Sequence, residues 1–237
     1  MGLIWNVAQQ NDLIRAYPKS ETAEVVGQER ALAELVEVEV AEMINKLDRQ
    51  FDQGQFDYVA RMVADNLPNI IDVVRQVKQE TTVAFAGASA KGNALDINLA
   101  RATDFTRIGG ATTPLDWLLN HSATGAADWI GSSANEEENS LNEAFIFMGI
   151  VDPIEVPKID AIQFYRFGDA LGPTQAITIR NRRSFGDNHT PAMQFPRAIA
   201  MLTEAQFNVR LNVAETGYDR LEPVALHVAR RADITSL

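Results

Sequence analysis

Apolar side chains recur every three or four residues over the first third of the chain and every second residue over much of the remainder. Leu32, Val36, Val40, Met43, Leu47 and Phe51 keep the helical period. Ser20, a good N-cap, precedes that run, and Glu29, Glu34, Glu37, Asp48 and Arg49 occupy its other face. Gln53-Gly54 should end or bend the helix, because glycine weakens helical continuation. Phe56, Val59, Val63, Leu67, Ile70, Val74 and Val77 then repeat the period, with Pro68 placed either to open a second helix or to kink one continuous helix. The pattern predicts a helical hairpin or three-helix unit over about residues 20–80, with more apolar stripe than it can bury against itself.

After Glu80 the period changes. Residues 81–85 (TTVAF) and 95–99 (LDINL) read as strands, the second alternating apolar with polar. Residues 109–143, rich in Gly, Ser, Asn, Thr and Ala, read as a long loop with one helical turn near Pro114 to Leu119, in which Trp117 and Trp129 stand as amphipathic anchors. Further strands are expected at 145–148, 162–165, 177–179, 199–202, 207–213 and 224–228; Phe207, Val209, Leu211 and Val213 share one face. Prolines 153, 157, 173, 191, 196 and 223 fall between these runs, as strand boundaries require. The expected fold class is α+β: N-terminal amphipathic helices followed by an antiparallel β-sandwich of the eight-stranded jelly-roll kind. The expected division is an arm and helical contact region over 1–80 and a sandwich domain over 81–237.

Composition narrows the function classes. The chain has 237 residues and no cysteine, so packing, hydrogen bonds and subunit contacts must stabilise it without disulfides or thiolate metal sites. The apolar start, Leu3, Ile4 and Trp5, lacks preceding basic residues and does not read as a signal peptide; no apolar stretch is long enough to span a bilayer, so a soluble protein is expected. Leu3, Ile4 and Trp5 are nonetheless candidates for contact with a neighbouring subunit or an internal membrane. A formal charge of −11 argues against direct nucleic-acid binding, which needs clustered cations. The negative charge lies in the first 160 residues, whereas the remainder is slightly basic and uses only arginine.

No catalytic motif emerges. Residues 87–93 (GASAKGN) resemble a phosphate loop but carry Asn93 and Ala94 where lysine and a hydroxyl residue are required. His121, His189 and His227 lack a ligand spacing, and His227 reads as a surface or rim residue of the last strand. No serine sits in a nucleophile elbow. Neither an enzymatic site nor a cofactor or metal is therefore expected. Arg180, Arg182 and Arg183 form the densest basic cluster, suited to pairing with an acidic loop such as Glu136, Glu137 and Glu138 on a neighbouring copy.

The strand rhythm of residues 144–151 and 162–167, with the closing hairpin 207–230 around residues 215–219 (ETGYD), resembles that of single jelly-roll major capsid proteins of tailless icosahedral viruses that enclose a membrane. The resemblance covers about the last 100 residues, and the long helical segment before the strands departs from the simplest form of that family. It implies a multimeric shell subunit of a virion, without catalytic residues, whose helices contact membrane, shell proteins or neighbours. The competing expectation is a β-sandwich module that holds a carbohydrate or small ligand against Trp117 and Trp129.

Overall fold

The structure, a computed structural model, describes residues 57–84, 95–112, 114–140, 142–151, 158–166, 169–170, 177–178 and 192–230. The helices expected before residue 57 lie outside these residues, as do Leu3, Ile4, Trp5, Arg180, Arg182 and Arg183. Two compact units divide the chain, residues 1–98 with 228–237 and residues 99–227.

Helix α1 (Asp57–Ala84) forms where the second apolar stripe runs. Val59, Met62, Val63, Leu67, Ile70, Ile71, Val74 and Val77 are all buried, as a stripe of helical period requires. Pro68 is exposed and lies inside the helix without ending it. Asn66, buried beside the stripe, donates from Nδ2 to the Met62 carbonyl at 2.8 Å. Thr81 to Ala84, expected to be a strand, instead complete this helix. Adding a residue to an existing helix gains a hydrogen bond at little nucleation cost, which outweighs the β preference of two threonines and a valine.

The remaining elements are almost entirely antiparallel strands. They are β1 (Leu95–Leu99), β2 (Leu118–His121), β3 (Gly125–Ile130), β4 (Glu137–Glu138), β5 (Glu143–Val151), β6 (Ile159–Arg166), β7 (Asp169–Ala170), β8 (Ile177–Thr178), β9 (Ala192–Met201), β10 (Gln206–Val213), β11 (Gly217–Arg220) and β12 (Glu222–Arg230). A 3-10 turn at Ala102–Asp104 follows β1. One sheet has the order β1-β12-β5-β9, a second the order β3-β10-β6-β7 with β4 beside β10 and β8 beside β6, and β11 with β2 makes a two-stranded ribbon.

The pairs are nested: β1 with β12, β2 with β11, β3 and β4 with β10, β5 with β9, and β6 with β8. Each later pair lies inside the sequence span of the one before it.

Alternation decides which residues face inward. Phe207, Val209, Leu211 and Val213 of β10 join the core, as do Ile162 and Phe164 of β6 and Phe145 and Phe147 of β5, and a register shift between Phe147 and Gly149 brings Ile150 to the same core. Rings from the two larger sheets meet: Phe147 lies 5.2 Å from Phe164 and 6.1 Å from Phe207, and Phe195 meets Phe164 edge-on at 5.7 Å. Such tilted and edge-on arrangements match the aromatic quadrupole as well as burying apolar area.

The segment 109–143, expected to be a loop, contains β2, β3 and β4. Its small residues hide the strand period, and β3 is further disguised by a bulge. Val209 pairs with Ile130 and Arg210 with Asp128, so Trp129 is the extra residue. A bulge re-aims side chains, and here both Trp129 and Ile130 are fully buried in the core. The role of Trp129 as an accessible anchor is thereby corrected, and Trp117, 8% exposed and 5.7 Å from Phe105, is likewise a core residue.

Phe147 touches rings on both sheets, so Phe147→Ala leaves a cavity that no neighbour fills. The expected loss is about 3–5 kcal/mol of unfolding free energy, measured by urea denaturation. A loss under about 1 kcal/mol would mean that the seam between the sheets packs loosely.

Candidate functional site

Two clusters of polar side chains stand out in the unit formed by residues 99–227. The first is built on His227. β12 is buried along almost its whole length, so the position that alternation assigns to a rim is enclosed, and His227 is 8% exposed. Its Nε2 lies 2.7 Å from Glu143 Oε1, at the start of β5, and its Nδ1 lies 3.6 Å from Asp104 Oδ2 on the 3-10 turn. The ring stacks on Phe145 with centroids 4.5 Å apart and planes 11° from parallel. Both carboxylates are themselves fixed. Asp104 Oδ2 accepts the Arg101 N–H at 2.7 Å, and Glu143 Oε2 accepts the Ser140 N–H at 3.1 Å.

Burial opposes charge on His227, but the flanking Asp104 and Glu143 outweigh it and push its pKa up to about 9. The same contacts overcome the upward push of burial on Asp104 and Glu143 and hold both below the ordinary carboxylate range. An imidazolium with a carboxylate at each nitrogen has no lone pair for a metal and no basic nitrogen for proton abstraction near neutrality. The arrangement is a charged cross-tie between β12, β5 and the turn after β1. It corrects the expectation that His227 is a surface residue: alternation cannot register partners 84 positions away.

The second cluster anchors the ribbon of β2 and β11. Its inward face carries Leu119, His121 and Asp219, all buried. Asp219, 0% exposed, accepts the Arg220 N–H at 2.8 Å and the Lys158 N–H at 3.3 Å. The Lys158 carbonyl receives the N–H groups of Ala214 and Glu215, and its Nζ donates to the Thr216 carbonyl at 3.2 Å. Gly217, with φ +123°, passes this lysine so closely that a Cβ would stand 3.2 Å from Nζ. A side chain there meets both steric crowding and an unfavourable φ. His121 lies across from Gly217 in the ribbon. Burial lowers its pKa, Asp219 partly offsets that, and Lys158 reinforces it, so the ring is neutral at pH 7, and its Nε2 has no hydrogen-bond partner.

The outward face of the ribbon is different. Leu118 is 51% exposed, Tyr218 64% and the preceding Leu115 87%; these are the exposed large hydrophobic side chains among the described residues. Tyr218 pairs with Asn120 and Arg220 with Leu118, so Leu118 and Tyr218 are diagonal neighbours on one face. Arg220 and Glu222 form an ion pair at 2.6 Å beside them, and Asp116 Oδ1 accepts the Leu118 N–H at 3.1 Å.

The expected acidic loop is only partly accessible. Glu137 is 4% exposed. It binds the backbone N–H groups of Thr106 and Arg107 at 2.9 and 2.8 Å and the Thr106 hydroxyl at 2.8 Å. Its carboxylate is therefore committed inside one copy, whereas Glu138 is exposed and Glu136 half-buried. Asn139, which sequence reasoning passed over, ties the same strand to the end of β9 through the Met201 and Leu202 carbonyls. Among the described residues, no group of three or more His, Asp or Glu side chains is arranged to hold a metal ion, and no helix is long and apolar enough to cross a membrane.

No protein-family model matches the chain, and no curated protein matches it. Among solved structures it is similar to a β-porphyranase of glycoside hydrolase family 86 from the human gut bacterium Bacteroides plebeius, at 15% identity over 57% of this chain and 21% of that one, with a TM-score of 0.25. The chain spans about a fifth of that enzyme's length, and a likeness of this degree bears on neither fold nor activity.

The cross-tie sets a pH dependence. The His227 pKa is raised on folding, from the ordinary 6.5 to about 9, so its contribution is full below about 6.5 and disappears as pH rises through about 9. The depressed carboxylates give the opposite limb, lost as pH falls through their folded values. Thermal melts should show Tm falling between pH 7 and 10, with about 3 kcal/mol as the upper bound for the histidine's share. His227→Gln should flatten that alkaline limb; equal slopes for the two proteins would contradict the assignment.

Proposed function

We propose that this chain is a non-catalytic jelly-roll subunit that self-associates into a shell, as a coat protein of a virion does. The nested strand pairing carries the reading. Eight strands in chain order, β1, β3, β5, β6, β8, β9, β10 and β12, give one sheet in the order first, eighth, third, sixth. In the other, the second pairs the seventh, the seventh the fourth, and the fourth the fifth. This is one long antiparallel hairpin rolled into two sheets, the topology shared by many viral coat domains. Fold alone does not choose a function, since lectin domains and cupins use the same roll.

The side chains supply the preference for a shell. His227 is occupied at both nitrogens, and His121 is enclosed behind the ribbon. Trp117 and Trp129, the rings on which a ligand-binding module would rely, are part of the core. The ribbon instead exposes Leu118 and Tyr218, diagonal neighbours on its outward face beside Asn120 and Arg220, as side chains open to contact with another copy. The helices of the N-terminal part and the tip Leu3, Ile4 and Trp5 are proposed contacts to shell proteins or an internal membrane. Arg180, Arg182 and Arg183 remain proposed partners for acidic side chains of a neighbouring copy.

Light scattering on the full chain across concentration and ionic strength tests the reading. The expected result is a mass that rises reversibly above the 26.1 kDa monomer. A strict monomer throughout, together with binding of an oligosaccharide, would favour the ligand module instead.

A further inference from the structure

We infer that the outward face of the second sheet, where Asn208 and Arg210 of β10 lie beside Gln163 and Tyr165 of β6 and Asp128 of β3, is a binding site for a neutral polyhydroxylated ligand of the oligosaccharide class. The inference goes beyond the self-associating reading and does not depend on it. Strand register places the site. Val209 and Leu211 join the core with Phe164 and Ile162, so Asn208, Arg210 and Asn212 lie on the opposite face. Asn208 is directly across from Tyr165, and Arg210 is flanked by Gln163 and Asp128, in adjacent rows about 7 Å apart.

Unpartnered polar atoms carry the inference. Among the described residues, the buried side-chain nitrogen and oxygen atoms without a hydrogen-bond partner are His121 Nε2, Trp129 Nε1, Asp128 Oδ1, Asn208 Oδ1 and Arg210 Nε. The last three belong to residues of this one face. Asn208 is 2% exposed, and its side-chain oxygen accepts no hydrogen bond. Arg210 Nε and Asp128 Oδ1 stand 3.5 Å apart as an ion pair without completing a hydrogen bond. Folded chains rarely leave such groups unmet, because a buried polar atom that has given up water and gained no partner destabilises the fold. Their concentration in two adjacent rows points to a partner from outside the chain.

Charge and donor type select the ligand. Arg210 and Asp128 offset each other, so these two rows favour neither an anion nor a cation. Arginine only donates, whereas an ionised aspartate and an amide oxygen only accept, so the ligand must do both. A hydroxyl group does both, and a neutral sugar presents several side by side. The carboxamides of Gln163 and Asn212 add both functions, and that of Gln163 is held in place by donation from Nε2 to the Phe164 carbonyl at 3.2 Å. The half-buried ring of Tyr165 supplies an aromatic surface beside them.

Shape and access agree with such a ligand. In the next row Ala161 of β6 and Ala126 of β3 flank Asn212, so the face is low there. Three strands side by side make a footprint about 10 Å wide, which suits a short stretch of an oligosaccharide. The side chains of Arg210 and Asp128 are each 35% exposed and reachable from outside. Asn208 forms the floor and is reached when Tyr165, directly opposite, turns aside. A sheet face grips one side of a ligand, so the affinity of a single site is weak, with a dissociation constant on the order of 1 mM. Several copies held in one assembly raise the avidity without any new contact.

The test titrates neutral tetrasaccharides of glucose, galactose, mannose and xylose into the full chain, up to about ten times that constant, and follows the backbone amides by NMR. A sialylated and a sulfated oligosaccharide serve as anionic controls. The variants are Asn208→Leu, which replaces the amide by an apolar group of like shape, and Arg210→Gln, with thermal melts as the check on folding. Expected are saturable shifts at residues 126–128, 161–165 and 208–212 with at least one neutral probe, and at least a tenfold weakening in both variants. The Tm of Asn208→Leu should equal or exceed that of the wild type, since the oxygen it removes has no partner in the fold. Absence of saturable shifts with every neutral probe overturns the inference, as does binding confined to the anionic probes or binding that both variants retain. Should Asn208→Leu fail to fold, Arg210→Gln decides alone. Sugar binding by a chain that stays monomeric leaves this inference standing while the self-associating reading fails.

Discussion

The seam of aromatic rings between the two larger sheets is the constraint on which the other features rest. Phe145 and Phe147 on β5, Phe164 on β6, Phe195 on β9 and Phe207 on β10 bring their rings together from strands far apart in sequence. None of these strands can bury its apolar face alone, and antiparallel pairing within a sheet buries backbone polar groups rather than rings. Rolling the nested pairs so that both inner faces meet satisfies the rings and the ladders at once. The bulge at Trp129 belongs to the same solution, since it adds a large ring to the core at the edge of the second sheet.

Once the seam is closed, buried charge locates the loops. Each enclosed carboxylate binds backbone N–H groups or a charged side chain. Glu137 holds residues 106 and 107, Asp219 holds residue 158 and its own strand, and Asp104 with Glu143 hold His227. Satisfying these groups matters because an unpaired charge in such surroundings costs several kcal/mol. An acidic composition thus serves the interior of this unit as well as its surface. The ribbon remains as the element whose inner face is secured by such contacts and whose outer face exposes Leu118 and Tyr218 among polar neighbours.

Sequence reasoning succeeded where one face of an element is apolar and the other polar. The stripe of α1 and the alternation of residues 207–213 are of that kind, and both elements occur where the pattern places them. It failed where tertiary context overrides the local signal. Thr81 to Ala84 look like a strand but extend a helix already begun. Gly125 to Ala127 are too small to show a period, and the bulge after Asp128 breaks what period there is. β5 and β12 are buried almost throughout, so their outward positions look no different from inward ones, and the histidine of β12 could not be recognised as a charged bridge. The exposed pair on the ribbon was equally hidden, because Leu118 and Tyr218 approach only through pairing of strands from opposite ends of the roll.

The central claim of the proposed reading is that the chain associates with its own copies, with the exposed side of the β2–β11 ribbon as a contact. Hydrogen–deuterium exchange of the intact chain, followed from dilute to concentrated solution, addresses it most directly by reporting on each strand separately. The account expects slower exchange at high concentration for amides of residues 118–121 and 217–220, with β5 and β10 unchanged. Exchange at the ribbon that is indifferent to concentration while the particle mass increases would place the contact elsewhere and contradict it.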